Sequence, residues 1–460
     1  MSYTPDALSL LPPVAAILLA LVTRKVLLSL AMGTVAGMLV YTRFNPVDTV
    51  VQTGEMFGVL LTTPWILKTL GFAVLVGSVM ELIRRSGGID GFVHLLQERY
   101  RMLRSKRSAL LLVYATGLII FVESSITSLI AGAIGRPLAA RFGFSREKLA
   151  YVCDSTAAPV CSLLVINGWG ALLLGLIMTQ IEAGYLHGDA VMVLLQSVGF
   201  NFYAMLALLT TFLVIWFDWN IGPMRHCTVE TSSYDMNETR GDASLMVMPL
   251  LVMVAAVFFF LWFTGGGDMM HGSGSSAVFY TMLLTLAFIA LQYRLKRVMD
   301  WKSYFDAAFK GAMALLPIAA ILLLAFAIGK VIDMIGTGVY MASFLQTGMS
   351  HAWLPAAIFL LASAMAFATG TSWGTFSVML PIAVVMGAAT DAYMPLLIGA
   401  VISGGVFGDH CSPISDTTII ASLAAGCDHV DHVRTQLPYA LVAGGIAFAL
   451  FLIAGSFLAA

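Results

Sequence analysis

Apolar residues run through this chain in long uncharged blocks, among them LLPPVAAILLALV, LMVMPLLVMVAAVFFFLWF and LVAGGIAFALFLIAGSFLAA. A helix needs roughly 20 predominantly apolar residues to cross about 30 Å of hydrocarbon, so the pattern predicts an all-α polytopic membrane protein. Segments 8–22, 26–42 and 66–83 read as its first crossings. Four polar interruptions stand inside otherwise apolar runs: ESSITS (Glu123–Ser128), CDSTAAPVC (Cys153–Cys161), ATGTSW (Ala368–Trp373) and GDHCSPISDTT (Gly408–Thr418). Irregular backbone at membrane depth survives only where protein or a wet cavity satisfies it.

The interruptions are paired. At a shift of 244 residues Thr127 falls on Thr371, Ser128 on Ser372 and Pro137 on Pro381, and with a small further offset Pro159 falls on Pro413. RSGGI, from Arg85, similarly lies over IGTGV, from Ile335. The common order of these matches predicts a duplicated half. Residues 1–216 form the first repeat, with a hairpin at about 108–135 and a broken helix at about 147–182. A polar, cytoplasmic linker occupies 217–242. Residues 243–460 form the second repeat, with a hairpin at about 352–387 and a broken helix at about 393–425. Each repeat then ends on one more helix, 189–216 and 437–458.

Charge supplies the orientation. The basic runs ERYRMLRSKR (98–107) and RPLAARFGFSREK (136–148) both belong on the cytoplasmic side by the positive-inside rule. One crossing cannot join them, but a re-entrant hairpin can, with arms of about 15 and 8 residues, roughly 22 and 12 Å. Val331 to Val433 holds no Lys or Arg, as an inverted second half requires. The prediction is two inverted-topology repeats, each of about five transmembrane helices plus one re-entrant hairpin and one interrupted helix. Of the 24 Lys and Arg, only Arg43, Lys68 and Lys330 then fall outside the cytoplasmic face.

Matching broken segments in two inverted halves are the best sequence pointer to a transporter's binding site. Glycine and proline in GDHCSPISDTT free backbone carbonyls. Asp409 and Asp416 add carboxylates, and Ser412, Ser415, Thr417 and Thr418 add hydroxyls; hard cations favour such oxygen ligands. The first-half counterparts are Asp154, Ser155 and Thr156 in the break, with Glu123, Ser124, Ser125, Thr127 and Ser128 at the tip. The second tip offers Thr369, Thr371, Ser372 and Trp373. An acid at membrane depth is costly and points to function. Glu123 is the sharpest case, as a carboxyl that exchanges a proton against a cation or as a cap of the second hairpin arm. Asp154, Asp409 and Asp416 divide in the same way between ligand and helix cap. His410 reads as a proton carrier or a hydrogen-bonded structural residue. Local ion pairs are expected for Glu81 with Arg84 and Arg85, and for Lys330 with Asp333. CDHVDH (427–432) reads as a solvated cytoplasmic loop rather than a metal cluster.

Composition narrows the class further. Hydrophobic residues are 59% and charged residues 11%, with a mean hydropathy of +0.91; a soluble chain carries about 25% charged residues, so a soluble enzyme is excluded. Net charge −1 gives no hint of nucleic acid. The segment MSYTPDALS lacks a basic run, so the first block is expected to stay as a helix rather than be cleaved as a signal. The five cysteines lack framework spacing and are expected to be free thiols. HExxH and Walker-type loops are absent, which disfavours a zinc protease and direct ATP drive. No cofactor is expected, only Na+ as coupling or transported ion.

GDHCSPISDTT followed by GCDHVDHVRTQLPYAL resembles the signature of the NhaC-type sodium/proton antiporter family, and SREKLAYVCDSTAAPVCSLL with its later GWGA is similar to that family's first-half motif. The resemblance implies ion-site roles for Asp154, Asp409, Ser412, Asp416 and Thr417, with Glu123 lining the site. It also implies Na+ and H+ as partners and a homodimer, in a wider group where dimers moving substrate by an elevator-type motion occur. The cytoplasmic basic loops and compact chain suit a multi-pass place in a bacterial inner membrane. Relatives that carry amino acids or small organic acids keep a Na+-coupled organic solute open as the alternative. Against a dicarboxylate stands the lack of a midplane arginine to clamp it.

Overall fold

Several helices in this chain start where a short polar side chain caps an apolar run, as at Asn45, Asn167 and Asp300, and some stop where glycine takes a left-handed backbone, as at Gly143, Gly370 and Gly426. The computed structural model describes residues 4–23, 25–88, 91–92, 105–121, 123–164, 167–229, 241–267, 272–337, 340 and 351–458. Among the described residues the chain is helical without a strand. The helices are α1 (Leu11–Thr23), α2 (Val26–Tyr41), α3 (Pro46–Thr62), α4 (Pro64–Arg85), α5 (Lys106–Ile119), α6 (Ser124–Phe142), α7 (Arg146–Ser155), α8 (Ala158–Leu163), α9 (Gly168–Glu182), α10 (Ala190–Val198) and α11 (Phe202–Phe217). After them come α12 (Ser244–Thr264), α13 (Gly274–Leu295), α14 (Trp301–Ala314), α15 (Leu316–Met334), α16 (Leu354–Thr369), α17 (Ser372–Ala389), α18 (Met394–Cys411), α19 (Asp416–Ala425) and α20 (His429–Leu458). Nine helical segments among the described residues are long and apolar enough to cross a membrane. The protein is an integral, multi-pass membrane protein.

The interrupted segments lie at the centre. In the run Arg146–Glu182 88% of the apolar window is buried, and in α18 89%, against 33% in α12 and 28% in α20, whose open faces suit lipid. The buried side chains form two hydrophobic cores. Tyr151, Val152 and Cys153 of α7 lie in one core, and Ala158 and Cys161 of α8 in the other. Val401 and Val406 of α18 lie in the second core, and Ala421 and Ala425 of α19 in the first. Each break therefore falls where the chain passes from one core to the other, the place where polar groups displace the least packing.

Close helix approach needs small residues. Gly404 and Gly408, four apart on α18, lie against α16; a Cβ on Gly408 would stand 2.1 Å from the carbonyl oxygen of Ser363, and one on Gly404 2.4 Å from that of Phe359. Gly117 serves the first hairpin in the same way, since a Cβ there would meet Thr156 Oγ1 at 2.0 Å.

Several elements depart from their predicted bounds. The second arm of the first hairpin is 19 residues long and runs on to Phe142, where Gly143 turns left-handed. Arg136 is thus inside a helix rather than at a loop mouth, because its guanidinium donates to the carbonyls of Ala424 (2.6 Å) and Leu423 at the end of α19. The first broken helix has a second interruption before α9, capped by Asn167, whose Oδ1 accepts from Trp169 N and Gly170 N and whose Nδ2 reaches Phe121 O at the hairpin tip (2.9 Å). The helix expected over 189–216 is two helices, split at Gly199–Asn201. Asn201 is fully buried, donates to Ser162 Oγ (2.8 Å) and accepts from Ser403 Oγ (3.1 Å), tying α8 to α18. Asn201→Ala removes the amide link between Ser162 and Ser403 in a fully buried place and is expected to lower the unfolding free energy by about 1–3 kcal/mol, read as a lower midpoint of thermal unfolding in detergent.

The α3 helix was not anticipated; Asn45 caps it, accepting from Val47 N and Asp48 N, with Pro46 at its first position. The final helix starts at His429, eight residues early, so CDHVDH is not a solvated loop: Asp428 accepts from Val430 N and Asp431 N as a cap. Of the predicted linker and basic runs, residues 230–240 and 98–104 lie outside the described residues, as do Ile89 and residues 338–339 of the matched glycine motifs. Glu81 pairs with Arg84 (2.7 Å) and Arg85 (2.6 Å), and Lys330 with Asp333 (3.7 Å). All five cysteines are free.

Candidate functional site

The second tip and the second break meet on Asp409. Ser372, the first residue of α17, and Ser415, the N-cap of α19, are both drawn to this carboxylate, which sits in the last turn of α18. Ser372 Oγ donates to Asp409 Oδ2 at 2.8 Å and Ser415 Oγ to Oδ1 at 2.7 Å. Thr417 Oγ1 joins Ser415 Oγ at 2.9 Å. Asp409 is 1% exposed and makes no ion pair among the described residues. Two hydroxyls are therefore its side-chain partners, and no cationic side chain among the described residues balances it.

Other predicted hydroxyls turn away from the carboxylates. Ser412 Oγ donates to Phe367 O (2.7 Å), which pins the break to α16. Thr156 Oγ1 donates to Val152 O (2.8 Å) on its own helix. Thr127 Oγ1 bonds the carbonyls of Ile120 and Glu123 and closes the first tip. Thr371 is the N-cap residue of α17 but makes no side-chain capping bond, and it is half-buried. Ser128 and Thr418 are fully buried, and neither hydroxyl has a partner among the described residues.

Glu123 caps α6: its Oε2 accepts from Ile126 N at 2.8 Å, and Ser124 Oγ lies 3.4 Å from Oε1. The structure thus bears out the capping role of Glu123. Asp416, the first residue of α19, accepts from Thr417 N (2.9 Å) and is otherwise exposed. Its position puts negative charge at a helix N-terminus, where the aligned peptide dipoles favour it. Asp154 lies beside Asp409 through His410, whose Nε2 is 3.9 Å from Asp154 Oδ2. The first tip contributes Glu123, the first break Asp154, and the second break Asp409 and Asp416.

Asp154 is fully buried in a network that sequence reasoning missed. Its Oδ2 accepts from Gln436 Nε2 at 2.6 Å; His432 Nε2 lies 3.4 Å and His410 Nε2 3.9 Å from the same oxygen. His410 also meets Ser155 Oγ (3.2 Å) and Tyr203 OH (2.6 Å). His432, Gln436 and Tyr203 were not among the expected site residues. A signal existed for two of them: His432 and Gln436 are four apart in DHVRTQ, so on a helix they share a face.

A second tryptophan completes the neighbourhood. Trp373, the last residue of the second tip, packs edge-to-face on Trp169 at 6.1 Å between ring centroids, and Trp169 in turn meets Phe376 at 5.7 Å.

Comparison with known proteins decides the family. A family model described as the Na+/H+ antiporter family matches residues 159–456, the stretch carrying the second tip, the second break and the Gln436 helix. This chain belongs to the Na+/H+ antiporter family. Among relatives of this antiporter-family chain, an uncharacterized protein of Haemophilus influenzae is 33% identical over 476 residues, covering 96% of this chain and 89% of that one. The malate-2H(+)/Na(+)-lactate antiporter of Bacillus subtilis is 41% identical over 103 residues, a match spanning 21% of this chain and 22% of that one. Among solved structures, the YdaH transporter of Alcanivorax borkumensis aligns with a TM-score of 0.58 at 12% identity, over 90% of each chain. At that identity the likeness is one of fold. Together the family and the fold make this antiporter-family chain a secondary transporter.

Proposed function

We propose that this transporter exchanges Na+ for H+ at the acid and hydroxyl cluster where the two tips and the two breaks converge. The observation that carries this reading is Asp409, a buried carboxylate held by the hydroxyls of Ser372 and Ser415 with no cationic partner among the described residues. An uncompensated buried charge is expensive. A cation or a proton relieves that cost, and the site can hold one or the other. Competition between the two for the same carboxylates couples their fluxes. In this reading Asp409, Ser415, Asp416 and Thr417 bind the cation, with Ser372 orienting Asp409. Ser412 acts by fixing the break, and Asp154 with Ser155 and Thr156 forms the first-half counterpart. Glu123, Ser124, Thr127 and Ser128 line the tip opposite, with Thr371 across from them.

The same proposal includes two inverted repeats, 1–216 and 243–460, each giving one hairpin and one break, in a bacterial inner membrane. It is supported by the match of Thr127–Ser128 to Thr371–Ser372 at the two tips. A second reading, Na+-coupled movement of a small organic solute, is favoured by the Trp169–Trp373 pair beside the tip and by the organic-acid antiporter among the partial relatives.

Purified protein in proteoliposomes holding a pH-sensitive dye separates the two. With an imposed proton gradient, Na+ alone is expected to collapse it, K+ is not, and Asp416→Asn is expected to slow the response about tenfold or more, as loss of one charged ligand. A gradient that stays intact until an amino acid or organic acid is added would replace the first reading with the second.

A further inference from the structure

Gln436 occupies a singular place. It lies on α20, is 1% exposed, and its amide nitrogen uses both of its hydrogens: one reaches Asp154 Oδ2 at 2.6 Å and the other the carbonyl oxygen of His410 at 2.7 Å. Asp154 stands at the end of α7, in the first break. The His410 carbonyl belongs to the last turn of α18, among the carbonyls a helix end leaves without a partner of its own, and adjoins Asp409. One side chain therefore fastens the ends of the two interrupted helices to each other.

The fastening is selective. Of the two Asp154 oxygens, Oδ2 receives Gln436 and has His432 Nε2 at 3.4 Å, while Oδ1 is buried with no partner among the described residues. Gln436 Oε1 and both ring nitrogens of His432 are also buried without a hydrogen-bond partner among the described residues. Native interiors rarely leave several such atoms together, and a carboxylate with one oxygen fixed and the other free is oriented for a ligand.

We propose that Gln436 is a positioning residue for cation exchange: it holds one oxygen of Asp154, leaves the other free, and ties that carboxylate to the end of α18 beside Asp409. This rests on the reading of the acid cluster as the cation site. Neither the carboxamide nor its carbonyl oxygen needs to touch the cation. Its effect passes through Asp154, so it governs how well the site is assembled rather than how fast a loaded site turns over.

Gln436→Met keeps the length and volume of the side chain and removes both donors. Gln436→Asn keeps the amide but withdraws it by one methylene. Na+-driven proton flux in proteoliposomes is measured for both against Na+ concentration. The expected result is an apparent KM for Na+ raised about tenfold or more, the scale of a lost hydrogen bond to a charged group, with the maximal rate per folded protein changed far less. A purely structural role would reduce the amount of folded protein and leave the KM of the surviving fraction unchanged. Wild-type KM in both variants overturns the proposal, and so does failure of both variants to fold, which would make the amide a structural clasp alone. Asp409→Asn measured alongside separates the two levels. If it abolishes the Na+ response while the Gln436 variants keep wild-type KM, the positioning role alone falls. If it leaves the Na+ response intact, the cation-site reading falls and the proposal with it.

Discussion

Asp409→Asn is expected to abolish Na+-driven proton movement while leaving the protein folded. Asparagine has the shape of aspartate: its side-chain oxygen still accepts from Ser415 Oγ, and its amide donates to Ser372 Oγ, which has Gly405 O at 3.1 Å as an acceptor for its own proton. What disappears is the charge. Two unit charges about 4 Å apart attract by about 4 kcal/mol at an effective dielectric of 20. Part of that is offset by the amide dipole, which leaves a loss on the order of a hundredfold or more in exchange rate at limiting Na+. The dye assay reads the rate, and the thermal midpoint in detergent reads the fold. Normal exchange by a well-folded Asp409→Asn protein would make the buried carboxylate a structural element and remove the observation on which the exchange reading stands.

Gly408→Val is expected to destroy the fold itself. The α18 backbone lies so close to α16 that even a single Cβ would stand 2.1 Å from Ser363 O, 2.7 Å from Ala366 Cβ and 2.7 Å from Phe367 N. Two of those three neighbours are backbone atoms, which cannot swing aside as a flexible side chain would. Overpacking a well-filled site costs about 1–3 kcal/mol and occasionally more, and valine adds two methyl groups to the obstruction. Since Phe367 O also receives Ser412 Oγ, any retreat of α16 pulls on the break. The yield of monodisperse protein on size exclusion should collapse, whereas Gly445→Val, at a position with open space around it, should behave as wild type.

Much of the site could be read from the chain because its residues violate the rule of their surroundings. Aspartates, a proline and a row of hydroxyls inside apolar runs mark both breaks, and the spacing of Thr127–Ser128 and Thr371–Ser372 marks both tips. Ser372 and Asp409 do meet, 37 positions apart. The membrane class and the family followed from the same features. Less legible were residues that obey a local rule while serving a distant partner. Arg136 looks like a loop marker, since cationic residues usually stand outside the bilayer. Here the carbonyl ends of α19 receive it, so the helix continues past it. His432 and Gln436 sit in a polar stretch that reads as loop; only packing against Asp154 reveals the helix and the burial. Asn201 splits a helix that hydropathy alone treats as continuous, because apolar scores do not register the hydroxyls of Ser162 and Ser403 waiting for its amide.

The bond between Gln436 and Asp154 spans 282 positions of the chain, and that span has a meaning in time. A ribosome adds roughly 5–20 residues per second, so Asp154 emerges about a quarter of a minute to a minute before the amide that will hold it. Throughout that interval the first break stands among its neighbours with an acid lacking its fixed donor, and the end of α18 awaits the same group. The first half can insert and pack early, yet its most deeply buried carboxylate is secured only when the final helix arrives. Maturation of this transporter is in that respect ordered from the last helix backward.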